Sequence, residues 1–349
     1  MRKLSFKNAI LEATDQMMKI NKNIILIGLG APDPKGIFGT TLGLQKKYGS
    51  QRVFDSPTAE NSVTGIALGA SLLGIRPIIT HQRVEFSLLA IEQIVNQAAK
   101  VSYMTDGKLN APMVHRLIIG RGWGQGPQHS QSLESWFANI PGLKVIIPST
   151  PYDVKGLLIS ALIDNNPVIL LEHRWLHETA GYVPEGRYEI EIGKANILKK
   201  GSDITIVSYS YMFIELLRCQ KILEENGINA ELIDLRSLRP LDEKTIIKSV
   251  KKTGHLLTIE NGWTQCGVGS DIITKVIKKN FNDLKAAPLN LGLKDVPIPS
   301  SRSLANRVYV SQKDILKSIE IILNKKLNVN WNSLPKVQDT PDSSFEGPF

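Results

Sequence analysis

The chain has 349 residues, about two domains' worth at roughly 100–200 residues each. Hydrophobic residues make up 42% and charged residues 21%, a globular balance that excludes a disordered or fibrous chain; apolar runs of about five residues fall far short of the roughly 20 that span a bilayer. The formal charge of +9 is scattered in pairs such as Lys46-Lys47, Lys199-Lys200 and Lys278-Lys279, with no aromatic-interleaved stripe; this argues against nucleic acid and leaves attraction of an anionic ligand open.

In chain order, Phe6, Ala9, Ile10, Ala13 and Met17 fall at helical spacing over 6–20. No apolar run follows the basic start, so no secretory signal is expected. Cys219 and Cys266 lie outside any Cys-x-x-Cys spacing, which disfavours a disulfide scaffold; the expectation is a soluble, cytoplasmic protein. Short apolar runs at 24–27, 77–79, 113–119, 144–147 and 168–171 predict buried parallel strands, with helices at about 60–73, 86–104 and 152–164.

The pattern restarts near 203. Strands are expected at 204–207, 230–235 and 255–260, and helices at 212–226, 242–253 and 267–278. Residues 179–200, charged and carrying Gly181, Pro184 and Gly186, look like an exposed connection. After about 326 the periodicity gives way to Pro, Ser and Asp, so 326–349 is expected to be an extended tail. The predicted fold class is α/β in two domains, each a mostly parallel sheet with flanking helices. The domains are placed at 1–185 and 201–325, joined by a linker at 186–200.

Several side chains could carry chemistry. Glu60 opens a helix rich in small residues, Gly65, Ala67, Gly69 and Ala70. A carboxylate there is favoured by the helix dipole alone; the small residues imply that something packs closely, and function stays open. His129 ends the stretch Gly120-Arg121-Gly122-Trp123-Gly124-Gln125-Gly126-Pro127-Gln128, a loop expected at a strand's carboxyl end, where open α/β sheets place ligands. It suits acid/base or substrate-orienting work, or a hydrogen bond holding the loop to itself. His173 and His177 stand four apart, a metal spacing on a helix, but they follow a strand directly and read better as a surface or interface patch. His81 and Arg83 lie at a strand end, facing a ligand. His255 and both cysteines are expected to be structural.

The stretches Arg52-Val53-Phe54-Asp55-Ser56-Pro57, Glu60 to Gly69, Ala90 to Lys100, Gln128-His129-Ser130-Gln131, Pro141-Gly142-Leu143-Lys144-Val145, Leu238-Arg239-Pro240-Leu241-Asp242 and Glu260-Asn261-Gly262-Trp263 carry a resemblance. From about Leu4 to Asn324 the chain resembles the β subunit of the thiamine-diphosphate-dependent component of 2-oxo acid dehydrogenase complexes, pyruvate dehydrogenase especially. That family is related to the last two domains of transketolase. The resemblance implies a pyrimidine-binding domain followed by a transketolase C-terminal-like domain. It makes Glu60 the desolvated carboxyl that bonds a ring nitrogen of the cofactor and promotes its imino tautomer. Phe86 becomes the aromatic stacked on the pyrimidine, and His129 the histidine near substrate and acyl acceptor. The turn at Ala161, Leu162, Asp164 and Asn166 matches a potassium-binding turn.

There are departures. Gly28-Leu29-Gly30-Ala31-Pro32 lacks the acid that the family associates with a tunnel between active sites. His81-Gln82-Arg83-Val84-Glu85 is more polar than its counterparts, so His81 and Arg83 become candidates for holding substrate or a polar acceptor. Gly122-Trp123-Gly124 replaces a smaller loop. No Gly-Asp-Gly segment, which holds magnesium and diphosphate in thiamine enzymes, occurs in the sequence. The resemblance therefore implies an α subunit that supplies Mg2+ and diphosphate, an α2β2 assembly, and a lipoyl acyltransferase as acceptor. Carboligation onto a sugar carbonyl is the alternative within enzymes. A non-catalytic assembly subunit is the alternative of another class, and Glu60 argues against it.

Overall fold

The computed structural model describes residues 2–121 and 124–335. Gly122 and Trp123, on which one departure rests, and tail residues 336–349 lie outside the described residues. The strands, in chain order, are β1 Arg2–Ser5, β2 Ile24–Gly28, β3 Val53–Phe54, β4 Arg76–His81, β5 Val114–Ile119, β6 Lys144–Ile146 and β7 Val168–His173. They continue as β8 Ala180–Val183, β9 Asn196–Lys199, β10 Ile204–Ser208, β11 Ala230–Asp234, β12 Ser237–Arg239, β13 Leu256–Trp263 and β14 Leu289–Leu293.

The first sheet runs β12-β6-β7-β5-β4-β2-β3 and the second β14-β13-β10-β11-β9, while β1 and β8 make a separate ribbon. Pairing is parallel in both large sheets except at the edge strands β12 and β9. Val168, Ile169, Leu170 and Leu171 are fully buried. That is why the strands read as continuous apolar runs: helices cover both faces of a parallel sheet.

Helix Phe6–Ile20 packs on helix Pro151–Ile163, which is buried almost all round. Its one interior cation is satisfied: Lys155 Nζ lies 2.6 Å from a Glu12 carboxylate oxygen and donates to the carbonyls of Pro184 (2.6 Å) and Gly186 (2.8 Å). The two halves share their hydrophobic cores. Leu157 and Trp175 pack in one cluster with Phe213 and Ile315, and Leu117 and Phe137 in another with Tyr209 and Ile272. Polar ties cross the same seam. Glu134 accepts from Tyr209 Oη (3.1 Å) and the Gly262 N–H (2.8 Å), and Arg236 pairs with Asp153 at 2.6 Å.

Several expectations need correction. The helix expected at 86–104 is broken into Val84–Ser87, a 3-10 turn Leu88–Ala90, a widened turn Gln93–Ala98 and Val101–Met104. Between the last two pieces the turn at Gly142 lies against the Ala99 carbonyl; a Cβ on Gly142 would lie 1.8 Å from that oxygen. The stretch 179–200 is largely exposed, with Val183 and Ile190 buried, but it is not structureless. It contributes β8 and β9, and buried Ile190 exchanges hydrogen bonds with Ser160 Oγ, 2.7 and 3.1 Å. The strand β12 comes from the second half yet extends the first sheet. The start of the tail is extended but docked: Leu327 is buried, its N–H bonds Glu320 at 2.8 Å, and Lys317 sits 3.7 Å over Trp331. Cys219 is buried as expected, whereas Cys266 is exposed. Among the described residues no helix is long and apolar enough to cross a membrane.

At the centre of the first sheet Arg116 on β5 forks onto Glu172 on β7 at 2.6 and 2.9 Å and donates to Thr40 Oγ1 at 2.9 Å, with both charged side chains fully buried. Burial alone would raise the Glu172 carboxyl; the charge of Arg116 and the His177 contact outweigh it and hold the group at about 2. Removing one partner strands the other charge, so Arg116→Met should cost about 3–5 kcal/mol in urea unfolding. Because the folded value lies below the usual 4.5, the wild-type contribution is complete above that pH and disappears as pH falls through about 2. The pH dependence between those limits should flatten in the variant.

Candidate active site

In a parallel sheet every strand-to-helix turn lies at the carboxyl edge. Helix Glu60–Leu72 leads back to β4, so its first residue stands at that edge. Its cap residue Ala59 makes no side-chain bond, and Glu60 is half-buried. Phe86 sits on the short helix that follows β4, and His129 in the loop that follows β5. The structure brings these last two together, with ring centroids 5.5 Å apart and planes tilted by 49°. His129 Nδ1 is buried and has no hydrogen-bond partner.

The loop 120–131 is closed at its base by the Gly120 N–H donating to the Gln131 carbonyl at 3.0 Å. Arg83 donates to the Gly120 carbonyl at 2.9 Å and to the Gln125 side-chain oxygen. Glu85 accepts the Gln131 N–H at 2.8 Å. Burial raises the Glu85 carboxyl; that N–H bond, Arg83 and His129 oppose the rise. Gly120 has φ +78° and its Cβ position lies 2.2 Å from His173 Nε2, so only glycine fits. Beside Gly120, His173 stacks on Tyr211 at 4.9 Å, and the Arg121 guanidinium lies 3.9 Å from both the Trp175 and Tyr309 rings.

Residues 2–178 match the model of the transketolase pyrimidine binding domain, and residues 193–315 that of the transketolase C-terminal domain. The chain is 42% identical over 325 residues to the β subunit of acetoin:2,6-dichlorophenolindophenol oxidoreductase of Cupriavidus necator, covering 87% of this chain and 96% of that one. It is 38% identical to the pyruvate dehydrogenase E1 β subunits of Pisum sativum (91% and 89% covered) and Porphyra purpurea (94% and 99%). The chain belongs to the transketolase family. A solved chain described as a split gene transketolase, inactive beta4 tetramer, shares the fold at a TM-score of 0.74 and 21% identity, covering 93% of this chain and 99% of that one.

Within this family member the other expected site residues fall differently. His81 is 6% exposed, its Nε2 has no hydrogen-bond partner, and burial depresses it to about 4; its neighbour His115 is held near 3. Both are buried groups that are neutral at pH 7. Arg83, 4% exposed and lowered to about 10 by burial, keeps its charge but uses it on Gly120 and Gln125, not on an acceptor. His173 and His177 are buried, not a surface patch; His177 packs on Phe6 and Phe38 and lies 3.5 Å from Glu172.

The turn expected to hold potassium is tied by the chain's own cations. Arg76 donates to the carbonyls of Leu162 (3.2 Å) and Asp164 (2.8 Å), Lys144 pairs with the Asp164 carboxylate, and Asn166 donates to that carboxylate through N and Nδ2, each at 2.9 Å. Ala161 is buried beside it. Sequence reasoning missed Glu85 and Gln131 as holders of the loop. Adjacency to Phe86 and His129 was the only signal, because a bond to a backbone N–H leaves no mark on spacing.

Gly120→Ala is expected to lower stability by about 1–3 kcal/mol from the backbone conformation alone, and further through displacement of the His173 ring. Equilibrium urea unfolding measures it.

Proposed function

We propose that the chain is the β subunit of a thiamine-diphosphate-dependent 2-oxo acid decarboxylase, active only with an α subunit in an α2β2 assembly. The acyl group passes to the lipoyl arm of an acyltransferase. The observation that carries this reading is Phe86 set against His129 at the carboxyl edge where the Glu60 helix begins, in a chain that matches the pyrimidine-binding model over residues 2–178.

The residues present fit the pyrimidine half of the cofactor. Glu60 heads an uncapped helix and Phe86 keeps part of its surface exposed. The diphosphate half has no counterpart: Gly-Asp-Gly is absent from the sequence, and among the described residues no group of three or more His, Cys, Asp or Glu could hold a metal. Mg2+ and diphosphate therefore fall to the α subunit. Thiamine diphosphate, when bound, supplies the nucleophilic carbon and the electron sink that loss of CO2 requires. Glu60 holds a proton at a pyrimidine nitrogen, Phe86 fixes the ring's tilt, and the His129 imidazole orients the substrate carboxylate or moves a proton at the acyl acceptor.

Glu60 is only half-buried in the single chain, so a neighbouring surface must complete its desolvation. The chain leaves apolar side chains for a partner to cover: Ile66 is 72% exposed and Leu73 87% along the Glu60 helix, and Leu89 64%. Potassium has no step in this reading, since Arg76 and Lys144 already place positive charge on the turn.

The name of the 42% relative favours a second reading, cleavage of an acyloin such as acetoin. Turnover of pyruvate and of acetoin, measured with 2,6-dichlorophenolindophenol in the assembled α/β enzyme, separates the two.

The chain alone should bind thiamine diphosphate weakly and the α/β assembly tightly with Mg2+; calorimetric titration of both checks this, and tight Mg2+-dependent binding by the lone chain would refute the shared site. Glu60→Gln should assemble normally yet lose most decarboxylation, because a carboxamide cannot hold the same proton. His129→Ala should reduce acyl transfer by roughly 10²–10⁴ while cofactor affinity stays constant; stopped-flow acyl transfer against cofactor titration is the comparison.

A further inference from the structure

The base of the His129 loop presents two backbone groups beyond the one bond that closes it. Gly120 has given its N–H to Gln131, which leaves the Gly120 carbonyl and the Gln131 N–H. A cation takes the carbonyl and an anion takes the N–H: Arg83 on Gly120 and Glu85 on Gln131. Arg83 reaches the middle of the loop as well, through Gln125. Both side chains come from one short stretch, where Arg83 precedes and Glu85 lies within the helix Val84–Ser87. The next residue is Phe86, whose ring meets His129, two positions before Gln131. One rigid four-residue segment thus grips the loop at its two ends and its middle and sets the ring contact between them. The apolar neighbours are supplied by the core, where Val84 packs with Ile119 and Leu133.

We propose that Arg83 and Glu85 are positioning residues that clamp the 120–131 loop and thereby fix His129 against Phe86. The clamp stands on geometry in the chain itself; its consequence for turnover rests on the function proposed above. Charge-assisted bonds to backbone groups hold the loop more firmly than neutral ones, and each should restrain its opening roughly tenfold to a hundredfold. Arg83→Lys keeps the charge but cannot fork to Gly120 and Gln125 together. Glu85→Ala removes the acceptor for Gln131, and Glu85→Gln keeps one.

Amide hydrogen exchange on the full chain reads this directly. Arg83→Lys and Glu85→Ala should speed exchange across 124–131, at the Gln131 amide most of all in the second, by about tenfold or more, with the helix Phe6–Ile20 unchanged. Glu85→Gln should restore protection near wild type. In the α/β enzyme assayed with pyruvate and 2,6-dichlorophenolindophenol, the first two variants should lower kcat with thiamine diphosphate affinity unchanged. Unchanged loop exchange in both overturns the clamp, and so does a rise shared equally by the whole first sheet. A freed loop with unchanged kcat overturns the link to His129. Should wild type itself prove inactive with its α partner, the proposed function fails while the exchange result still decides the clamp.

Discussion

Parallel pairing is the constraint from which the rest follows. A parallel strand must be reached by a crossover, crossovers bury both faces, and every turn after a strand then falls on one edge. The chain meets the burial requirement with the apolar runs of β2, β4, β5 and β7. It uses the edge for Glu60, the segment 83–86 and the His129 loop. Nothing else in the sequence would gather three segments some 25 to 70 residues apart.

The edge is held by polar contacts, in contrast to the sheet beneath it. Under the loop the core is apolar, with Ile119, Leu133 and Phe137 in one cluster. At the surface of that core Arg83 and Glu85 bond to backbone, and Arg121 lies between Trp175 and Tyr309. Tyr309 and Tyr211 belong to the second half, so the packing of Arg121 and His173 beside Gly120 crosses the seam between the halves. The shared cores and the buried pair Arg236–Asp153 make that seam an interior and not a hinge surface.

The polar departures in the sequence thus acquire a different meaning. His81 is a neutral core histidine at about 4, and Arg83 spends its donors inside the protein. A guanidinium bonded to a backbone carbonyl and a side-chain amide shapes the loop that carries them. Likewise the turn at 161–166, expected to hold potassium, is cross-linked by Arg76 and Lys144.

By itself the sequence determined the inner strands of both sheets, because burial on both faces writes unbroken apolar runs, and the long helices such as 6–20 and 268–280, because their faces repeat at helical spacing. Phe86 and His129, singled out by the motifs around them, do meet in the fold. Short edge elements were not legible: β1, β8, β9 and β12 are three or four residues long, and their partners are distant in sequence, so no local pattern encodes them. The irregular turns within 86–104 have no local signature, and one of them lies against the distant turn at Gly142. Whether His81 and Arg83 faced a ligand or the core was also decided only in three dimensions. Strand periodicity says which residues are near an edge, whereas burial and hydrogen-bond partners are properties of what packs above it.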